Sequence, residues 1–165
     1  ITAIMNEGNV YGILAAPPCT MFSLARTKAN TPRDLKEGMD CVRACLDIIW
    51  SVMEIKQDTR KKTLPLKFWA LENPNGMLKY FLGKPVFQYS PHEYGANYTK
   101  RTALWGWFNL PIRPLLISQL PPHRSIKDMM NPFKDKDKRK NFEDNMQLRS
   151  NCYYSFAKAF FAANQ

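Results

Sequence analysis

The sequence contains no long apolar run. Its longest apolar stretches, such as residues 13–16 and 159–163, are far shorter than the roughly 20 residues that a membrane-spanning helix requires. The first residues also lack the basic patch, apolar segment and small-residue cleavage site of a secretory signal. The four cysteines form no dense or paired pattern, which argues against a disulfide-stapled scaffold and favours a reducing, intracellular setting.

Acidic residues are scarce relative to basic ones. Asp and Glu number 14 against 24 Lys and Arg, so the net charge is +10. This excess favours a polyanionic partner, and nucleic acid is the first candidate, but charge alone does not separate DNA from RNA or from an anionic membrane. The length of 165 residues and the hydrophobic content of 45% are enough to build one ordinary core.

The first ordered elements that the pattern predicts are a strand and a helix. A short apolar run at residues 11–16 stops at Pro17-Pro18, which is typical of a buried strand that ends in a rigid turn. Apolar residues at spacings of three and four then predict a helix over residues 32–55. We expect Thr31 to cap this helix, and Asp34 completes a capping-box spacing.

A second buried strand is predicted at residues 67–71, where it runs into Glu72-Asn73-Pro74. A strand, helix and strand in this order form a crossover that joins parallel strands. The C-terminal ends of parallel strands lie on the same rim of a sheet, so Cys19 and Glu72 are predicted to be near neighbours.

The remainder of the chain has weaker signals. They predict a short helix near residues 76–82, strands at 85–89 and 102–107, and a final helix at about 155–164. The final helix is expected to carry Phe156, Phe160 and Phe161 on one side and to pack back on the sheet. We divide the chain into a first domain (1–109), an irregular basic loop (110–147) and the closing helix (148–165).

Cys19 and Glu72 are the two positions where the pattern suggests chemistry. A cysteine after two prolines at a strand end sits where backbone N–H groups can point at its sulfur and favour the thiolate. A carboxylate at the mouth of the adjacent strand can act as a general acid. For each residue alone the ordinary interpretation is the commoner one: a packed thiol for Cys19, and a helix cap or loop anchor for Glu72.

Three motifs in order resemble those of one family. They are Pro17-Pro18-Cys19 with Phe22-Ser23, then Glu72-Asn73-Pro74, then Tyr94-Gly95 running into Lys100-Arg101-Thr102 and Trp105-Gly106. This pattern looks like the cytosine-C5 DNA methyltransferases, and it is most similar to their short phage or prophage-type members. The likeness covers residues 10–106 and the closing helix. It implies an α/β fold with a Rossmann-like methyltransferase sheet and helices on both of its faces.

The resemblance implies a role for each matching residue. Cys19 would attack C6 of a cytosine flipped out of DNA, Glu72 would protonate N3, and S-adenosylmethionine would supply the methyl group. Lys100 would donate to the cytosine carbonyl or to a phosphate. The other substrate-binding positions would be Pro17, Pro18, Ser23, Asn73 and Thr102. Residues 1–109 would then be a partial catalytic domain, and residues 110–147 an irregular basic loop or target-recognition segment. Apart from the matched motifs, Arg26, Lys28 and Arg33 follow the Cys19 turn, and we expect them to form a mobile basic loop that closes over the flipped base and engages phosphates.

Two departures from the family pattern stand out. The third motif has Tyr98, Lys100 and Thr102 where the family commonly has glutamine and two arginines. In addition, no two of the seven glycines are close enough to form the glycine-rich turn of the family's cofactor site. We therefore expect that the first strand, turn and helix are missing from this chain, and that it binds S-adenosylmethionine poorly by itself.

This gap leads to expectations about partners and location. We expect a missing N-terminal segment or a homodimer to complete the sheet. The expected location is the cytoplasm of a bacterial or phage-infected cell. The alternatives are an inactive DNA-binding remnant of the same fold and a different cysteine-dependent pyrimidine modification. No metal site is expected, because Cys41 and Cys45 fit core packing on a helix and no ligand motif surrounds either histidine.

Overall fold

The computed structural model describes residues 10–24, 26, 30–57, 66–114, 124–125 and 152–165. Within them the chain forms a mixed α/β fold with a four-stranded mixed sheet and three α-helices. In chain order the elements are β1 (Gly12–Ala15), α1 (Leu35–Gln57), β2 (Phe68–Pro74), α2 (Lys79–Leu82), β3 (Phe87–Tyr89), a 3-10 helix (Pro91–Tyr94), β4 (Tyr98–Thr99), β5 (Thr102–Trp107), β6 (Arg124–Ser125) and α3 (Tyr154–Ala163).

The main sheet has the strand order β1-β2-β5-β3. β1 and β2 are parallel, with Ala15 opposite Leu71, and the chain between them contains α1. The predicted strand–helix–strand unit is therefore confirmed. β5 is antiparallel to β2 and places Leu104 opposite Glu72. A second sheet joins β4 to β6 in parallel.

Contacts divide the chain into two compact units, and neither unit is a continuous stretch. The first contains the described residues of Ile1–Gln88, Thr102–Asn109 and Asn164–Gln165. The second contains Tyr89–Arg101 and the described residues of Leu110–Ala163.

The core of the first unit lies on one face of the sheet. Its buried side chains are Phe22, Val42, Leu71, Leu78, Ala103 and Trp105. Because Leu71 and Trp105 are register partners on β2 and β5, they share a face, and Val42 of α1 packs there. The buried indole of Trp105 is satisfied by a hydrogen bond from its Nε1 to the Gly83 carbonyl at 2.9 Å.

The start of α1 differs from the expected cap. The helix begins at Leu35, and Asp34 Oδ1 accepts a hydrogen bond from the Glu37 backbone N–H at 2.8 Å, so Asp34 is the N-cap. The Thr31 hydroxyl instead accepts a hydrogen bond from Arg26 at 2.7 Å. The expectation that Thr31 caps the helix is wrong because the helix begins at Leu35, which leaves Thr31 three residues before the N-cap.

Three further details of the elements differ from the expectations. β2 continues through Pro74, so Glu72 lies inside the strand and not beyond its end. Phe161 is 63% exposed, whereas Phe156 and Phe160 are buried; at 100° per residue Phe161 points away from Phe156. The two-residue strand β6 falls inside 110–147, which we expected to be loop, and strands this short carry no periodic signal.

The second unit contains an aromatic cluster around Phe156. The Tyr89 ring stacks on Phe156 with centroids 3.6 Å apart, and Tyr94 meets Phe156 edge-on at 5.2 Å. The Tyr94 hydroxyl is buried, and it has no hydrogen-bond partner among the described residues. Burial raises the pKa of Tyr94 to about 12; the Arg113 guanidinium lowers this pKa and the Glu93 carboxylate raises it, both to a smaller extent.

We expect Tyr94→Phe to stabilise the protein at pH 7 by about 1 kcal/mol, because it removes a buried hydroxyl that has no partner. Unfolded tyrosine ionises near its ordinary pKa of about 10, below the folded value. The free energy of unfolding of the wild type should therefore be unaffected by Tyr94 ionisation below pH 10 and should fall as the pH rises from 10 toward 12. The variant, which lacks the ionisable hydroxyl, should not show this loss.

Urea denaturation at pH 7 and pH 11 measures both effects, and Tyr154→Phe, at an exposed position, is the control. A Tyr94→Phe variant that is less stable than the wild type at pH 7 would show that the hydroxyl has a partner.

Candidate active site at the ends of strands β1 and β2

The chain that leaves β1 is tied directly to β2. The Asn73 side-chain Nδ2 donates a hydrogen bond to the Pro17 carbonyl oxygen at 3.1 Å. This contact extends the parallel register beyond Ala15 and Leu71, because Pro17 follows Ala15 by two residues and Asn73 follows Leu71 by two. The parallel pairing confirms that the C-terminal ends of β1 and β2 lie on the same rim of the sheet, whereas the predicted proximity of Cys19 and Glu72 stays a prediction.

Cys19 begins a tight turn. Its carbonyl oxygen accepts hydrogen bonds from the Phe22 N–H at 3.0 Å and the Ser23 N–H at 2.8 Å. These two N–H groups therefore point at the Cys19 carbonyl and not at the sulfur, in contrast to the expectation that the turn's amides would serve the thiolate. Cys19 itself is half-buried and is not part of a disulfide.

The turn contacts both the core and the segment that follows β2. Phe22 is fully buried among the core residues, and its carbonyl oxygen accepts a hydrogen bond from the Met77 N–H at 2.9 Å. Gly76 approaches the same carbonyl so closely that a Cβ placed on it would lie 2.3 Å from the Phe22 oxygen. A glycine is required there because the backbone that follows β2 lies directly against the turn.

Glu72 and Asn73 point to opposite faces of the sheet because neighbouring strand residues alternate. Asn73 shares the core face with Leu71 and is fully buried. Glu72 is half-buried and shares the other face with Pro74 and with their register partners Leu104 and Thr102. Thr102, which is 2% exposed, is thus a diagonal cross-strand neighbour of Glu72.

The Asn73 side-chain oxygen lies buried at this rim without a described partner. Its Oδ1 is buried and has no hydrogen-bond partner among the described residues, although the same amide donates to Pro17. Leaving a buried carbonyl oxygen unpaired costs roughly 1–3 kcal/mol. Asn73 was predicted only as a substrate-binding residue, and its tie to Pro17 is a positioning role that the sequence did not indicate.

The other predicted site residues are placed as follows. Pro17 is buried, Pro18 is exposed and Ser23 is half-buried within the turn, where its carbonyl oxygen accepts a hydrogen bond from Arg33. Arg26 donates to Met21 Sδ at 3.0 Å and to Thr31. Lys28 lies outside the described residues.

Lys100 belongs to the second unit. It is half-buried, and its backbone N–H donates to the Ser90 hydroxyl at 3.1 Å. Nearby in sequence, the ring of Tyr98 meets that of Tyr153 edge-on at 6.2 Å. Burial raises the pKa of Tyr98, and Tyr153 and Cys152 add to the shift. The predicted contact of Lys100 with a substrate stays a prediction.

Neither a family model nor a curated protein matches this chain. The function must therefore be argued from the site itself.

The cysteines of α1 belong to the packing of that helix. Cys45 packs against the core cluster, and burial, followed by the neighbouring Cys41, raises the pKa of the Cys45 thiol. Over the described ranges, no three His, Cys, Asp or Glu side chains are grouped so that they could hold a metal ion. Nor does that part of the chain contain a helix that is long and apolar enough to cross a membrane.

Proposed function

We propose that this chain performs the cytosine-activating step of a DNA cytosine-C5 methyltransferase, with Cys19 as the nucleophile and Glu72 as the acid. The observation that carries the proposal is the hydrogen bond from Asn73 to the Pro17 carbonyl. It holds the Pro-Pro-Cys segment beside the strand that contains Glu72, and the family resemblance assigns the reaction to these two segments. The net charge of +10 suits a DNA substrate.

The proposed step balances as an addition followed by an elimination. The Cys19 thiolate forms a bond to C6, the C5=C6 electron pair moves to form a C4=C5 bond, and the C4=N3 pair moves to N3, where Glu72 delivers a proton so that negative charge does not build up. C5 is then nucleophilic and takes a proton from solvent. Solvent then removes the original C5 hydrogen as a proton, the N3 proton returns to the Glu72 carboxylate, and the thiolate leaves C6 as the C5=C6 bond re-forms, which restores the cytosine. The net result is exchange of the C5 hydrogen.

The cytosine must leave the DNA stack to present C6 and N3 at once, at a cost of about a few kcal/mol. Glu72 suits this task because it lies inside β2, where the strand backbone fixes its position, and it is half-buried. Thr102 lies on the same face of the sheet as Glu72, and its hydroxyl group is a further hydrogen-bonding group beside the proposed acid. The resemblance to phage and prophage-type members would place the activity in the cytoplasm of a bacterial or phage-infected cell.

The described residues do not fit the methyl donor S-adenosylmethionine. A cofactor turn of this kind needs glycines between a strand and a helix. Here Gly12 lies inside β1 against the Phe68 ring, and Gly76 is held against the Phe22 carbonyl. We therefore derive no methyl-transfer step, and the proposal rests on hydrogen exchange at C5, which these residues can perform alone.

The sheet also supports a Rossmann-like arrangement as part of the proposal. Its parallel pair β1–β2 is connected through α1, and the proposed site lies at the C-terminal ends of these strands, where ligands bind in open α/β sheets.

Tritium release from DNA tests the proposal directly. We expect the chain, without S-adenosylmethionine, to release tritium from DNA labelled at cytosine C5 and to release none from DNA labelled at C6, because the proposed step breaks the bond to hydrogen only at C5. DNA binding is measured in parallel by fluorescence anisotropy. A folded chain that binds DNA but releases no tritium would contradict the proposal and would identify a DNA-binding protein without this chemistry.

A further inference from the structure

Arg33 is attached to the turn that carries Cys19. Its Nη1 donates to the Met21 carbonyl oxygen at 2.7 Å and its Nη2 donates to the Ser23 carbonyl oxygen at 2.8 Å. Both bonds are partly buried. One planar guanidinium thus spans two carbonyl groups that stand two residues apart, a geometry that an ammonium group cannot reproduce.

The carbonyl groups of the turn are held from three directions. Cys19 O is bonded within the turn, Phe22 O is bonded by the Met77 N–H, and the two flanking carbonyl groups are bonded by Arg33. The two bonds from Arg33 connect the turn to the residues that lie just before α1. Removing the guanidinium would take the described donor from the partly buried Met21 oxygen, and it would leave the Ser23 oxygen with the longer bond from the Arg26 backbone N–H at 3.3 Å.

We propose that Arg33 is a positioning residue that fixes the Cys19 turn for attack on the substrate, and that phosphate binding is not its role. This inference rests on the proposed function, which makes Cys19 the nucleophile. The sequence grouped Arg33 with Arg26 and Lys28 as a basic cluster that engages DNA phosphates. The contacts of Arg33 favour a positioning role over phosphate binding, because two of the five N–H donors of its guanidinium bind carbonyl oxygens of the turn.

The first part of the test needs no DNA. Wild type, Arg33→Lys and Arg33→Gln are treated with iodoacetamide, and the alkylation rate of each cysteine is followed by peptide mass spectrometry. Loosening the turn should expose the half-buried Cys19, so its rate is expected to rise by about fivefold or more in both variants. The rates of Cys41 and Cys45, which lie within α1, should stay unchanged, as should every rate in the control Arg43→Lys, whose side chain is exposed.

The second part separates positioning from phosphate binding. In the tritium-release assay we expect both Arg33 variants to lower kcat by roughly 10- to 100-fold, as small misplacements of reacting groups do. KM for DNA and the salt dependence of DNA binding should not change. A phosphate-binding arginine would behave in the opposite way: KM would rise, and the slope of log K against log salt would fall by about 1.

Each result decides the proposal. Unchanged Cys19 alkylation in both Arg33 variants overturns it, and so does a parallel rise at Cys41 and Cys45, which would report general unfolding. If the wild type releases no tritium, the proposed function fails, but the alkylation rates still decide whether Arg33 holds the turn.

Discussion

Replacing Cys19 with Ala is expected to reduce tritium release from C5-labelled DNA to the rate of buffer alone. The methyl group of alanine cannot add to C6, and without that addition C5 never becomes nucleophilic. Cys19 is half-buried at the surface of the turn, and alanine fits the same space, so the fold and DNA binding should persist. The control is Cys152→Ala, which removes an exposed thiol and should retain full release.

Glu72→Gln tests the acid within the same assay. The amide keeps the shape and hydrogen-bonding capacity of the side chain but cannot deliver a proton in the same way, so release should fall by roughly 100- to 10,000-fold. Glu54→Gln, at an exposed position of α1, makes the same chemical change away from the site. Release that persists in Cys19→Ala would place the nucleophile elsewhere and overturn the proposal.

Gly76→Ala is expected to destabilise the protein by about 3 kcal/mol or more. The new Cβ would lie 2.3 Å from the Phe22 carbonyl oxygen. Neither atom can rotate away, because the oxygen belongs to the backbone and the Cβ is bonded directly to Cα. Separating them requires the segment after β2 to move away from the turn, which would stretch the hydrogen bond from the Met77 N–H to Phe22. Urea denaturation followed by circular dichroism measures the loss.

Gly12→Ala provides a matched control for this effect. Its Cβ would also lie 2.3 Å from its nearest neighbour, but that neighbour is the tip of the Phe68 ring, a side chain that can rotate. The same nominal overlap should therefore cost much less than at Gly76, about 1 kcal/mol. Equal losses for the two variants would show that the turn and the segment after β2 separate more easily than their contact suggests.

The sequence predicted the elements that bury apolar faces over several residues. The 102–107 strand agrees with β5 residue for residue, and the helix over 32–55 agrees with α1 except for three residues at its start and two at its end. Periodicity identifies such elements because each apolar residue must meet the core. The parallel pairing of β1 and β2 followed from the connection between them, since crossovers impose this arrangement.

The contacts of individual polar groups were not predictable in the same way. Arg33 read as one more surface cation, yet its guanidinium binds two carbonyl oxygens across the turn. Asn73 read as a substrate-binding residue, yet it is fully buried and donates to Pro17. In both cases the acceptor is a backbone oxygen on a different segment of the chain. Every residue carries such an oxygen, so no sequence pattern marks which one will be the partner.

Asn164 has a consequence for how the chain folds during synthesis. Its backbone oxygen accepts a hydrogen bond from the Tyr11 hydroxyl, 153 positions earlier, and its side-chain amide exchanges two hydrogen bonds with the Asn109 backbone. Because the ribosome releases residues from the N-terminus onward, these bonds form only after Asn164 has emerged. The unit that contains the site should therefore reach its final state only once residue 164 is available, and slowly, since closing a loop of 153 residues limits the folding rate.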